Sequence, residues 1–256
     1  MTIVAANYPI LEHDPASEAF IEPSRVLRPI DIPEHIVLCF FREVVTHLGE
    51  TAKLVTNLTS ESGKHPIYET EIEGRRLAFA HPGVGAPFST AFLEEVIALG
   101  GRKFIACGGA GALDSALTVG HVVVPSAAVR DEGTSYHYLP PSREVSASAE
   151  AIAAIEATLI AHQVPYVIGK TWTTDAIYRE TVARIARRRD EGCITVEMEA
   201  AAFFAVAQFR GITFGQLLYG GDDLSGAVWD HRDWIQSQAS TREKLFQLAA
   251  EACLRL

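Results

Sequence analysis

In this 256-residue chain the residues best placed to do chemistry are two glutamates two positions apart, in Thr195-Val196-Glu197-Met198-Glu199, directly ahead of Ala200-Ala201-Ala202-Phe203-Phe204. In an extended segment Glu197 and Glu199 project to one side, whereas in a helix they diverge by about 200°. Ionised carboxylates only accept hydrogen bonds, so the pair suits a polyol with adjacent hydroxyl donors, such as the 2′ and 3′ hydroxyls of a ribose. Acids at a helix start also complement the macrodipole with no ligand at all, and the segment alone supports both readings. A second acidic pair, Asp222-Asp223, follows Gly220-Gly221. A carboxyl beside a second carboxylate in a closing pocket acquires a raised pKa and can donate a proton. An Asp-rich turn is the structural alternative.

These residues need strands and helices to hold them. Ile36 to Leu48 carries apolar residues at helical spacing, and Leu77 to Ala80 reads as a strand ending in His81-Pro82-Gly83-Val84-Gly85. A helix over 88–99 stops at Gly100-Gly101. Lys103 to Cys107 is an apolar run entering Gly108-Gly109-Ala110-Gly111, and strands are expected over 119–124, 164–169 and 214–219. Helices are expected over 150–162 and 200–209. The alternation implies an α/β fold, with a parallel or mixed sheet covered on both faces and ligands at the carboxyl ends of its strands. No repeat or linker divides the chain, so a single domain over 1–256 is expected. Its first 35 residues, with Pro9, Pro15, Pro23, Pro29 and Pro33, form an extended segment wrapped over a surface.

Composition narrows the function classes. The formal net charge of −10 disfavours nucleic acid or an anionic membrane face as partner. Cys39, Cys107, Cys193 and Cys253 lack metal or redox spacing and read as buried thiols of a reducing compartment. With no signal-like N-terminus and no run of 18 apolar residues, a cytoplasmic protein is expected. Gly109-Ala110-Gly111 lacks the third glycine of a dinucleotide fingerprint, and Val164 stands where a phosphate loop ending in Gly169-Lys170-Thr171 needs its first glycine. Zinc-protease and serine-hydrolase motifs are missing, so no metal site is expected. Arg184, Arg187, Arg188 and Arg189 read as a solvated helix face, since Asp190 and Glu191 follow at once.

The string Val196-Glu197-Met198-Glu199-Ala200-Ala201 closely resembles the ribose-binding motif of the nucleoside phosphorylase family. That family includes uridine phosphorylase, bacterial purine nucleoside phosphorylase and the methylthioadenosine/adenosylhomocysteine nucleosidases. Gly83-Val84-Gly85-Ala86-Pro87 is similar to its first glycine loop, Phe104 to Leu113 to its second, Gly120 to Pro125 to the following strand, and Thr173 to Tyr178 to its base-pocket segment. The resemblance runs in order from Leu77 to Asp223.

This resemblance implies a three-layer αβα fold with a central mixed sheet, of phosphorylase/hydrolase type, no organic cofactor, and cleavage of a nucleoside N-glycosidic bond. Such a site must fix a sugar gaining oxocarbenium character and neutralise the departing base. Glu199 would hold the two hydroxyls, Met198 would pack on the sugar, and Glu197 would support them. Val84, Gly108 and Gly109 would lie in the substrate loops, and Ile177 and Tyr178 in a base wall. Asp222, with Asp223 as its stand-in, would donate toward purine N7, which favours purines. His13 would reach a neighbouring subunit's ribose, and a homo-oligomer, a dimer or a trimer of dimers, would complete the sites. Inorganic phosphate would be the co-substrate of a phosphorylase.

The sequence also departs from the family. Ala106 and Gly109 stand at the arginine and hydroxyl positions of the second glycine loop, and Glu34 stands where an N-terminal-loop arginine is expected. Arg28, Lys64 and Arg130, with Arg25, are the cations left to rebuild a phosphate site. Hydrolysis with Glu34 as water-activating base is the alternative reaction. A non-catalytic nucleoside-binding protein is the third reading.

Overall fold

The computed structural model describes residues 3–117, 120–232 and 239–256. Helix α1 (Pro23–Val26) belongs to the N-terminal segment; β1 (His35–Cys39) and α2 (Arg42–Gly49) follow, then the hairpin β2 (Lys53–Ser60) and β3 (Gly63–Ile72). Next come β4 (Arg75–Ala80), α3 (Ala86–Leu99), β5 (Lys103–Ala112), β6 (Val122–Asp131), β7 (Glu144–Ser146), α4 (Ala149–Ala161) and β8 (Tyr166–Thr174). The chain continues through α5 (Val182–Asp190), β9 (Cys193–Glu197), α6 (Ala200–Arg210), β10 (Thr213–Asp223) and α7 (Ala239–Leu254).

The strands form one mixed sheet in the order β10-β6-β8-β9-β5-β1-β4-β3-β2, with β7 added to β6. Because β10 also pairs with β5, the strands β5, β10, β6, β8 and β9 close into a barrel-like ring, from which β1 to β4 extend as an open sheet. Two layers of helix cover it. Val44 and Val45 of α2, Ile155 and Leu159 of α4, and Leu245 and Phe246 of α7 share one buried cluster. Phe92, Leu93 and Val96 of α3 and Phe203 and Phe204 of α6 share the other. This is the three-layer αβα architecture with a central mixed sheet.

The stretch 36–48 departs from the helical expectation. Its first residues, Ile36-Val37-Leu38-Cys39, are fully buried as β1 between β4 and β5, and the helix begins only at Arg42. An apolar run of this length fits either state, and two flanking strands settle it. The turn at the carboxyl end of β1 is therefore Phe40-Phe41, opening on Arg42. Other strands run longer than expected: β5 continues through Gly108, Gly109 and Gly111 to Ala112, and β8 reaches Thr174. Of the strand expected over 119–124, Val119 lies outside the described residues and β6 begins at Val122. Ile30 N donates to Leu99 O at the end of α3, and the buried Glu22 meets Arg210, which also grips Glu94 through two bonds of 2.8 and 2.9 Å.

Candidate functional site

The turn between β9 and α6 is built from its own acids. Glu197 closes β9 and folds its carboxylate back onto the start of α6, where Oε2 accepts from Glu199 N (2.7 Å) and Ala200 N (2.6 Å). Its other oxygen accepts from Thr173 Oγ1 at 2.6 Å, and Thr173 Oγ1 in turn accepts from Ala201 N at 2.9 Å. Three N–H groups at the helix start, which need partners from outside the helix, are thereby satisfied by two side chains. Glu199, the residue just before α6, points elsewhere: its Oε1 accepts from Gly85 N at 2.6 Å, at the start of α3. The two glutamates of the motif thus divide the work instead of facing a ligand together. Glu197 builds the turn, and Glu199 joins it to the first glycine loop.

That loop is held with equal care. Gly83 and Gly85 have φ of 84° and 91°, a region that disfavours side chains, and a Cβ on Gly83 would strike the Phe88 ring at 2.0 Å. Gly83 N donates to His81 Nδ1 (3.0 Å), and Ser89 Oγ donates to Gly83 O (3.1 Å). Val84 at the crown is 64% exposed. The second loop lies beside it. Gly108 is buried against Phe40, and Gly109 is exposed above Tyr219. Antiparallel pairing of Gly111 with Val196 carries the Glu197–Glu199 turn back along these glycines.

Burial pushes both carboxyls up. In Glu197 the three donors hold the charge against that burial. In Glu199 burial is reinforced by the neighbouring Glu197 charge, so the proton of the pair belongs on Glu199. Burial, aided by the nearby Arg42 charge, lowers His81 and keeps its ring neutral.

The other end of the site gathers at Asp222. A Cβ on Gly111 would come within 3.5 Å of Asp222 Oδ1, so the aspartate lies over the end of β5. Trp229 Nε1 donates to Asp222 Oδ2 at 2.7 Å. Asp223, the alternative acid, is committed to structure: its carboxylate pairs with Arg232 and accepts from Ser225 N at 2.8 Å, and these partners hold it below the usual range against burial. Ile177 and Tyr178 form a short turn after β8 and stand 54% and 95% exposed, so within one chain they make an open lip and not a wall. Arg188 is not on a solvated face. It is buried over the Trp172 ring, with Asp131 at 2.7 Å and Glu191 at 3.0 Å, and this anchors α5 beneath the lip.

Several expected residues lie elsewhere. Glu34 sits at the amino end of β1, about 16 Å of strand away from the carboxyl end where the glycine loops meet. It is half-exposed, paired with Lys103 Nζ at 3.1 Å, and held low by that hydrogen bond, so it is not a base within reach of the site. Arg28 precedes Ile30, which is bonded at the far end of α3, about 20 Å of helix from Gly85. Arg130 is buried and spent: it donates to Ser135 Oγ (2.8 Å), Pro140 O (2.8 Å), Ser142 Oγ (2.7 Å) and Leu139 O (3.2 Å) and packs on Tyr136. Lys64 is exposed near the β2–β3 tip, next to His65, whose ring packs on Phe88 of α3 at 5.0 Å. His13 is half-buried just after an N-terminal turn that packs on Thr134–His137. Met198 is half-buried between the two glutamates.

Sequence reasoning missed Arg42, Thr173 as a partner of Glu197, and Trp229. Only Arg42 had a readable signal, the break from the apolar run 36–41 to Arg42-Glu43 within the stretch taken as one helix.

Guanosine phosphorylase from Halorubrum lacusprofundi is 28% identical over 166 residues, 63% of this chain and 67% of that enzyme. Uridine phosphorylase from Haemophilus influenzae is 26% identical over 57% of this chain and 64% of its own length. A solved uridine phosphorylase from Vibrio fischeri superposes with a TM-score of 0.74 at 22% identity, covering 88% of this chain and 94% of that one. An AMP nucleosidase from Bacteroides thetaiotaomicron superposes at 0.72 and 21% identity, covering 90% and 91%. Residues 34–255 match the model of the phosphorylase superfamily, and the chain belongs to that family of nucleoside phosphorylases and nucleosidases.

Proposed function

We propose that the protein cleaves the N-glycosidic bond of a purine nucleoside by phosphorolysis, giving free base and ribose 1-phosphate. The observation that carries the reading is Glu199, buried and bonded through one oxygen to Gly85 N of the first glycine loop. Backbone amides of Gly85 and Met198 leave part of its acceptor capacity open, and the 2′ and 3′ hydroxyls of ribose supply donors for it. Met198 packs on the sugar, and Glu197 keeps the turn in place.

Phosphate is favoured over water by the cations and bases at hand. Arg42 opens α2 at the carboxyl end of β1, close enough to His81 to depress it, so a fixed positive charge stands beside the Gly83–Gly85 loop. Glu34, the base proposed for hydrolysis, is at the opposite end of β1. Lys64, on its exposed hairpin, is the cation a second copy would bring, which is the reason for proposing a homo-oligomer. The reaction as written needs no organic cofactor, only phosphate as co-substrate. Purines are favoured because Asp222 and its neighbours present carboxyls, suited to the N7 edge, at the base end.

Incubation with a panel of purine and pyrimidine nucleosides, with and without inorganic phosphate, tests this. Base and ribose 1-phosphate appearing only in the phosphate arm are expected. Base release at equal rate without phosphate would make the protein a nucleosidase. Saturable binding with no product would make it a binding protein.

A further inference from the structure

Gly109 is the exposed residue of the second glycine loop, and the group beneath it is a buried phenol. A Cβ on Gly109 would stand 3.2 Å from Tyr219 Cε1 and 3.6 Å from the Tyr219 hydroxyl, so the space a larger residue would fill is left to the edge of that ring. Tyr219 lies on β10 and is 1% exposed, and its oxygen accepts from Arg242 Nη2 of α7 at 3.4 Å. A phenol that accepts from a guanidinium keeps its own O–H for another partner. No acceptor for that proton stands among the described residues.

Arg242 is held from three sides. Its guanidinium lies 5.2 Å over the Phe41 ring, Phe41 packs on Tyr219 at 5.6 Å, and Nη1 pairs with Glu43 in the first turn of α2. Phe40, the other residue of the β1–α2 turn, packs on the same loop, since a Cβ on Gly108 would stand 3.1 Å from its ring. The turn and the second glycine loop therefore form one surface, with Tyr219 and Arg242 at their junction. The ion pair is lopsided, the Glu43 side chain being 48% exposed and that of Arg242 13%. Water screens the carboxylate more than the guanidinium, which leaves the inner side of the pair positive.

Resting on the reading above, we propose that Tyr219 and Arg242 hold the phosphate. The Tyr219 O–H donates to one phosphate oxygen over Gly109, and the Arg242 guanidinium, aimed by Phe41 and Glu43, supplies charge and N–H donors beside it. Gly109 contributes by having no side chain, which opens the phenol edge to the loop. The anion is thus received by a strand and a helix that the glycine loops only border.

The test reads phosphate separately from nucleoside. Arg242→Gln is expected to raise the phosphate KM about 10-fold or more and Tyr219→Phe about 5-fold, each with the nucleoside KM within about twofold of wild type. Arg242→Lys keeps the charge without the fork and should recover part of the loss. Tyr219→Phe keeps the ring and carries the test should Arg242→Gln fail to fold. Glu43→Gln cuts the same tie between α7 and α2 without removing a donor, and is expected to leave the phosphate KM at or below the wild-type value. Equal rises in Glu43→Gln and Arg242→Gln would reduce the arginine to a structural tie and overturn the proposal. So would equal rises in the phosphate and nucleoside KM, or an unchanged phosphate KM in Tyr219→Phe and Arg242→Gln. Thermal unfolding with inorganic phosphate alone separates the site from the reading it rests on. A rise in Tm that wild type shows and Arg242→Gln lacks would uphold the site with or without base release. Phosphorolysis by wild type, with Tm responding alike in the two proteins, would overturn the site and leave the phosphorylase reading standing.

Discussion

At the α6 turn, Glu197 and Glu199 are 7% and 6% exposed, and four protein donors converge on their oxygens. At the ends of β8 and β10, some of the same site is open to solvent: Ile177, Tyr178 and Trp229 stand 54%, 95% and 61% exposed. On the proposed reading, the closed end is a fixed receptor, built from contiguous residues, for the sugar common to all nucleosides, and the open end gathers separate loops around the base. The first can be kept while the second varies, since the loops after β8 and β10 contribute nothing to the α6 start.

The comparison can be broken at the closed end first. Glu197→Ala leaves two backbone N–H groups and the Thr173 hydroxyl without their acceptor in a buried turn, and is expected to destabilise the fold by ~3 kcal/mol or more. A urea midpoint equal to wild type would show that the turn does not depend on this acid. Glu199→Gln is expected to leave the midpoint nearly unchanged and to lower turnover by on the order of 10²-fold, because a misplaced sugar forfeits its alignment. If the two variants behave alike, the division between building and binding is wrong.

A subtler test follows from the raised carboxyls. Burial raises both carboxyls above 4.5, their ordinary value, so above that pH the folded pair retains protonation, on Glu199 first, that the unfolded chain has lost. Folded-state stability is therefore expected to fall as pH rises from that value through the raised ones. Ribose hydroxyls favour the ionised Glu199, so nucleoside affinity should move the other way and strengthen over the same window, with proton release on binding. Calorimetry in two buffers of different ionisation enthalpy measures that release, and Glu199→Gln should abolish it. The smallest effect belongs to the open end. Tyr178→Ala should leave stability within about 0.5 kcal/mol of wild type while weakening substrate binding by about 1 kcal/mol, if the ring stacks on the base.

The legibility of the sequence followed the same divide. The α6 turn could be read because Glu197, Met198 and Glu199 are adjacent and open an alanine-rich helix, although sidedness alone put both acids on the ligand. What reversed Glu197 was the backbone's need for acceptors at a helix start, which a strand-based picture does not contain. The αβα layering was legible from the alternation of short apolar runs and helices, but the closing of β10 onto β5 was not, since pairing partners leave no local trace. Glu34 went wrong for a related reason: with 36–48 taken as one helix, the start and end of β1 could not be distinguished, and Arg42 was hidden inside it. Arg130 and Asp223 were counted by charge, yet burial had already assigned their hydrogen bonds. Trp229 becomes a partner of Asp222 only through the fold.

The closure of the ring has one more consequence. Strand β5 pairs with β1, β9 and β10, so neither side of it is an edge, and all three glycines of the second loop sit on it. Its amides should be among the last to exchange with deuterated solvent. A docking phosphate or sugar would then meet a backbone whose disorder was already surrendered when the chain folded, and little further ordering would be charged against binding.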